Sequence, residues 1–173
     1  MRTIIMVFGL LIFHSCTKAT DLTTVPKVDI NRYLGQWHEI ARFPNRFEKG
    51  LECVTANYSL KKNGKIEVLN KGFRSNDPSK AETAKGSAWV PDKNFPGRLK
   101  VTFFWPFAGN YYIIALDENY RYALVGDPSR EYLWILAREK ELDETIYQHL
   151  VDIARQNGFD PNKLEKIAQD CKQ

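Results

Sequence analysis

The chain predicts an all-β fold: an eight-stranded antiparallel up-and-down β-barrel with one C-terminal α-helix packed outside. Three observations carry that expectation. The segment Tyr33-Leu34-Gly35-Gln36-Trp37 opens an alternating apolar run that continues to Arg42, and Tyr132-Leu133-Trp134 opens a similar run that ends on Arg138. Between the two lies a succession of segments of strand length, and after them comes a single amphipathic helix. In such a barrel Gly35, Trp37 and Arg138 close one end. The indole is the plug and the guanidinium lies across its face, a contact worth roughly 0.5–2 kcal/mol depending on burial.

The chain begins with an address. Arg2 supplies a positive charge, residues 4–13 are an apolar run, and Ser15 precedes Cys16. The run is shorter than the roughly 20 residues that a membrane-spanning helix needs, but it suits a secretory signal. Cys16 resembles the acylated cysteine of bacterial lipoproteins. Residues 1–15 are therefore read as a lipoprotein-type signal peptide, 16–30 as a lipidated linker and 31–173 as the barrel domain. An ordinary secreted protein with an incidental cysteine is the competing reading. Acyl chains on Cys16 would anchor the protein to a membrane, each buried methylene contributing about 0.8 kcal/mol.

Strands are expected over residues 36–43, 53–61, 65–73, 83–90, 97–104, 110–116, 121–125 and 132–137. Each is rich in β-branched or aromatic residues, and several alternate apolar with polar. Asn63-Gly64 between two alternating runs predicts a type I′ hairpin turn, which needs positive φ at both residues. Asp143 is then expected to cap a helix whose stripe is Ile146, Leu150, Ile153 and Ala154, with Gly158 as its stop. That stripe has only the outside of the barrel to pack on, unless it is a partner-binding or membrane-binding face.

Charge excludes little but excludes it clearly. Without Arg2, 24 basic residues stand against 21 acidic ones, and no basic cluster falls on a nucleic-acid motif, so nucleic acid is not expected as a partner. No metal-ligand spacing, phosphate loop or nucleophile elbow is present, so neither metal nor cofactor is expected and no catalytic residue is assigned. With Cys16 acylated, Cys53 and Cys171 remain as an even pair in an oxidising compartment. A disulfide between them would contribute about 4–5 kcal/mol in the chain-entropy model. A reactive Cys53 thiol is the alternative.

Strand parity gives an interior set of Val54, Ala56, Tyr58, Ile66, Val68, Asn70, Leu99, Val101, Phe103, Tyr111, Ile113, Ala115, Trp134 and Leu136. The set is apolar and almost free of charge, which suits an elongated apolar ligand. Residues 42–51, 75–82, 105–110 and 126–131 fall at the opposite end from Trp37 and form the open mouth. There the apolar run 103–107 is expected either as an exposed patch or folded back into the mouth. Arg42, Arg46, Lys49, Arg74 and Arg130 are candidates to attract an anionic head group.

Motifs throughout the chain resemble the lipocalin family. They include Asn31 to Phe43, Ala56-Asn57-Tyr58-Ser59-Leu60, Val68 to Phe73, Ile113 to Asp117, Tyr122 to Val125 and Tyr132 to Arg138. The resemblance is strongest to the bacterial outer-membrane lipoprotein branch and its animal relative apolipoprotein D. Leu116-Asp117-Glu118-Asn119-Tyr120 departs from the usual Thr-Asp-Tyr of the middle motif. The resemblance implies ligand-binding positions at Tyr33, Tyr58, Asn70, Phe103, Tyr111 and Trp134. It also implies a Cys53–Cys171 disulfide, and a role in storing or carrying fatty acids or lysophospholipids in the cell envelope. Outer-membrane localisation through the Cys16 lipid anchor is implied too, with a homodimer left open. Two other classes stay in play: a cysteine-dependent lipocalin isomerase or hydrolase using Cys53, and an interaction module whose barrel is filled by its own side chains.

Overall fold

The computed structural model describes residues 21–171. A single helical turn, α1 (Ile30–Tyr33), precedes β1 (Gly35–Arg42), β2 (Leu51–Leu60), β3 (Ile66–Arg74) and β4 (Asp77–Trp89). Then come β5 (Arg98–Phe104), β6 (Phe107–Leu116), β7 (Tyr122–Gly126) and β8 (Leu133–Ala137). Each strand pairs antiparallel with the next, and β1 pairs with both β2 and β8, so eight strands close into a barrel. Closure removes the exposed strand edges that an open sheet must protect. Helix α2 (Glu144–Gln156) follows, and a two-residue strand β9 (Glu165–Lys166) adds to the end of β1. Cys16 and the predicted signal segment lie outside the described residues.

Part of the segment expected as a linker is fastened to the barrel. Leu22 is fully buried, Arg98 Nη2 donates to Asp21 at 2.7 Å, and the Val25 N–H donates to the Ile113 carbonyl at 2.9 Å. A leucine buried to that degree contributes about 1.5–3 kcal/mol, enough to hold a short stretch of chain in place.

Two strands run further than the hydrophobic pattern indicates. β4 starts at Asp77 rather than 83, with Phe73 opposite Ala81, and β6 starts at Phe107 rather than 110. Residues 77–82 are polar because this part of the hairpin stands clear of the core, so backbone pairing alone makes it a strand. The predicted mouth loops at 75–82 and 105–110 are thus mostly strand ends joined by tight turns. The hairpin at Asn63-Gly64 also differs from expectation. Gly64 has φ +77°, but Asn63 is not in the positive-φ region. The Gly64 N–H donates to Lys61 at 2.9 Å and the Lys61 N–H to Lys65 at 2.8 Å. This is a type I turn followed by a left-handed glycine, the three-residue hairpin loop rather than type I′.

Asp143 caps α2 by accepting from the Thr145 and Ile146 N–H groups. The helix buries Tyr147, Leu150, Val151 and Ala154 against an outer core of Ile40, Leu124, Leu133, Ile135 and Phe159, with Ile146 and Ile153 half-buried at its flanks. The stripe therefore lies on the outside of the barrel and is rotated slightly from the predicted one, because Tyr147 and Val151 point at the sheet. The C-terminal tail is held as well. Cys53 and Cys171 form a disulfide, the Cys53 N–H donates to Ala168 at 2.8 Å, and the buried Gln169 amide donates to the carbonyls of Glu39 and Val54.

Candidate functional site

One end of the barrel is sealed. Trp37 is fully buried and its Nε1–H donates to the Tyr33 carbonyl at 2.8 Å. The Arg138 guanidinium lies 3.9 Å from the Trp37 ring centroid and donates to the carbonyls of Gln36 at 2.7 Å and of Arg32 and Leu34, each at 2.9 Å. Gly35 is at φ +90°, a backbone conformation that favours glycine, and a Cβ there would only touch Arg138 Nη1 at 3.4 Å, so the turn rather than the space calls for glycine. The hairpin ends place residues 42–51, 75–76, 105–106 and 127–132 at the opposite end, which is open.

Above the floor is a cavity of about 100 Å³, well below the roughly 300–1,000 Å³ of pockets for drug-sized ligands. Tyr33, Tyr58, Asn70, Phe103, Tyr111 and Trp134 all line it, supplied by α1, β2, β3, β5, β6 and β8 in turn. The rest of the interior set is distributed as parity dictates, with two differences. Ile113 is buried in the inner core but does not reach the cavity, and Ala115 lies outside the barrel beside α2. A bulge between Ile113 and Ala115 shifts the register and turns Ala115 to the other face.

Three tyrosines form a chain of hydroxyls: Tyr33 to Tyr111 at 2.8 Å and Tyr58 to Tyr111 at 2.9 Å. Burial pushes all three phenol pKa values up, so the trio stays neutral at physiological pH. Toward the mouth, Trp134 stacks on Tyr132 at 5.9 Å and its Nε1–H donates to Glu48 Oε2 at 3.1 Å.

The expectation of an interior almost free of charge is corrected here, because Glu39 and Glu48 both line the cavity. Glu39 is buried in the wall and accepts from Arg42 Nη1 at 2.6 Å. Its carboxyl is pushed up by burial and by the neighbouring Glu48, with Arg42 pulling it down. Parity counted from Trp37 points Glu39 inward, so the signal was present. Glu48 sits in the loop after β1, where no periodicity exists to place it.

The mouth cations are also corrected. Arg42 is buried, tied to Glu39 and to the carbonyls of Glu48 and Leu51. Arg74 pairs with Glu82, and Arg130 donates to the carbonyls of Pro128 and Asn157. These three are spent on structure rather than presented to a ligand. Arg46 and Lys49 remain exposed in the loop after β1, and the mouth also exposes an apolar rim: Phe104, Trp105 and Phe107 are 77%, 84% and 78% exposed, and Phe47 stands out from the same loop as Arg46.

A barrel plugged at one end and hollow within, its cavity lined mostly by apolar and aromatic side chains, defines a binding protein for a small hydrophobic ligand. Cys53 is consumed in a disulfide, which removes the nucleophile of the cysteine-dependent alternative. Residues 28–169 match the lipocalin-like domain family, and the chain belongs to the lipocalins. It is 45% identical to the outer membrane lipoprotein Blc of Citrobacter freundii over 90% of this chain and 87% of that one. Against the outer membrane lipoprotein Blc of Vibrio cholerae it is 37% identical over 98% and 99%, and against apolipoprotein D of Macaca fascicularis 36% over 88% and 83%. Among solved structures it resembles insecticyanin from Manduca sexta, with a TM-score of 0.68 at 22% identity over 85% and 84% of the two chains. That likeness is one of fold.

Proposed function

We propose that this lipocalin is a lipid-binding lipoprotein that stores or carries fatty acids or lysophospholipids, holding one chain at a time in the barrel. The single observation that supports this reading is the cavity, with its narrow apolar bore closed by Trp37 and open at one mouth. Tyr33, Tyr58, Asn70, Phe103, Tyr111 and Trp134 are the residues proposed to contact the ligand. The relatives named outer membrane lipoproteins support a place at the outer membrane, with Cys16 as the acylated anchor. The exposed Phe104, Trp105 and Phe107 rim gives the mouth a surface on which a second copy would dock, so a homodimer belongs to the same proposal. The test is titration of delipidated protein with a fatty acid, a lysophospholipid and a double-chain phospholipid. The two single-chain lipids are expected to bind at micromolar concentration or better, and the double-chain lipid to be excluded by the bore. If neither single-chain lipid binds, the barrel is a filled scaffold and the interaction-module reading replaces this one.

A further inference from the structure

The deep half of the cavity is more polar than an alkyl chain requires. Three hydroxyls carry three protons, and the two hydrogen bonds among Tyr33, Tyr111 and Tyr58 use two of them. One donor is left over, whichever direction the chain of bonds runs. Tyr33 and Tyr58 are only 2% and 7% exposed and Tyr111 is half-buried, and all three line the cavity. On the adjacent strand Asn70 lines the same cavity, and its Oδ1 is fully buried with no hydrogen-bond partner. Ala56 is opposite Asn70 and Tyr58 is opposite Val68, which makes Tyr58 and Asn70 diagonal neighbours on paired strands, both facing inward. A spare donor and a spare acceptor therefore face one space.

A plain hydrocarbon tail lying against these groups leaves both unpaired. Buried polar groups in that condition are costly, and in native structures most find a partner. A hydroxyl satisfies both at once, because it donates one hydrogen bond and accepts another. The position of the trio fixes where on the ligand that hydroxyl belongs. Tyr33 comes from the turn that floors the barrel, and Tyr58 is opposite Gly35 at the closed end. A ligand with its head group at the mouth reaches this region with the distal half of its chain.

We propose that the cavity is specific for oxygenated acyl chains, single-chain lipids bearing a hydroxyl in the distal half, which donates to Asn70 Oδ1 and accepts from the tyrosine trio. This deepens the reading of the cavity as a single-chain lipid site and rests on it. The burial that keeps the three phenols neutral suits them to a neutral hydroxyl rather than to a carboxylate.

Calorimetric titration of the delipidated protein with stearate, 2-hydroxystearate and 12-hydroxystearate tests the proposal. 12-Hydroxystearate should bind about tenfold more tightly than either of the others, the yield of one or two net hydrogen bonds. In Asn70→Leu, which removes the acceptor, the ratio of 12-hydroxystearate to stearate affinity should fall toward one. Equal affinity of the native protein for stearate and 12-hydroxystearate overturns the proposal but leaves the lipid-binding reading intact. Failure to bind any of the three overturns both. The native comparison decides the matter even if a variant does not fold.

Discussion

Arg138 and Trp37 hold the barrel floor by two different forces. The guanidinium covers the indole face at 3.9 Å, while its N–H groups gather the Arg32, Leu34 and Gln36 carbonyls from the turn that leads into the tryptophan. The planar fork makes this possible, since a lysine ammonium offers a point charge and no fixed fan of donors. Arg138→Ala is expected to lower unfolding free energy by about 1–3 kcal/mol, combining the ring contact with the lost carbonyl bonds. Arg138→Lys should fall between native and Ala. Urea denaturation of the three proteins checks the order, and an Ala variant as stable as native removes the role.

Trp134 reports on the cavity from its wall. Its ring stacks on Tyr132 and its N–H is bound to Glu48, so a chain entering beside it changes its surroundings. Its fluorescence should shift on lipid binding. Trp134→Ala should weaken binding by about 1–3 kcal/mol while the barrel stays folded by circular dichroism.

Glu39 makes stability depend on pH. Burial, then Glu48, hold its carboxyl well above the ordinary range against the pull of Arg42. The folded protein thus binds this proton more tightly than the unfolded chain does. The contribution is full below the unfolded value of about 4.3 and is lost as pH rises through the folded one. Asp117 and Glu144 are shifted downward, by hydrogen bonds from Arg121 and from Gln148, so their effects fall below the ordinary carboxylate range. Relative to native, Glu39→Gln is expected to be worse at pH 5 than at pH 8 by urea unfolding. An equal difference at both pH values contradicts the assignment.

Cys16→Ser should leave a folded barrel and move it from the membrane fraction to the soluble one. Retention of the Ser variant on membranes after a high-salt wash means that another feature anchors the protein.

The barrel was legible because its strands alternate around a common interior, so counting by twos from Tyr58, Val68 or Val101 identifies the cavity wall. Counting failed where the backbone departs from strict alternation. The bulge at Ile113 and Ala115 has no mark in the sequence, and the polar residues 77–82 extend a strand with no core to face. Glu39 was legible by the same parity but contradicts the expectation that interiors are apolar. Arg42 reads as a mouth cation because nothing in its own segment marks Glu39 as its buried partner. Its role follows from Glu39, since a carboxyl buried in the wall needs a hydrogen-bonding partner.

The disulfide has a mechanical consequence. Cys53 and Cys171 are 118 residues apart, so the covalent path from the N-terminal end of the described chain to Cys171 runs through β1, the first residues of β2 and one sulfur–sulfur bond. The strands from β3 to β8 lie inside the covalent loop, off that path. Tension between the two ends would therefore peel β1 from its neighbours and then stop, with no slack released from the walls of the barrel until the sulfur bridge is cut. For a domain tethered at one end, the element that yields first is the strand carrying Trp37, while most of the cavity wall bears no load.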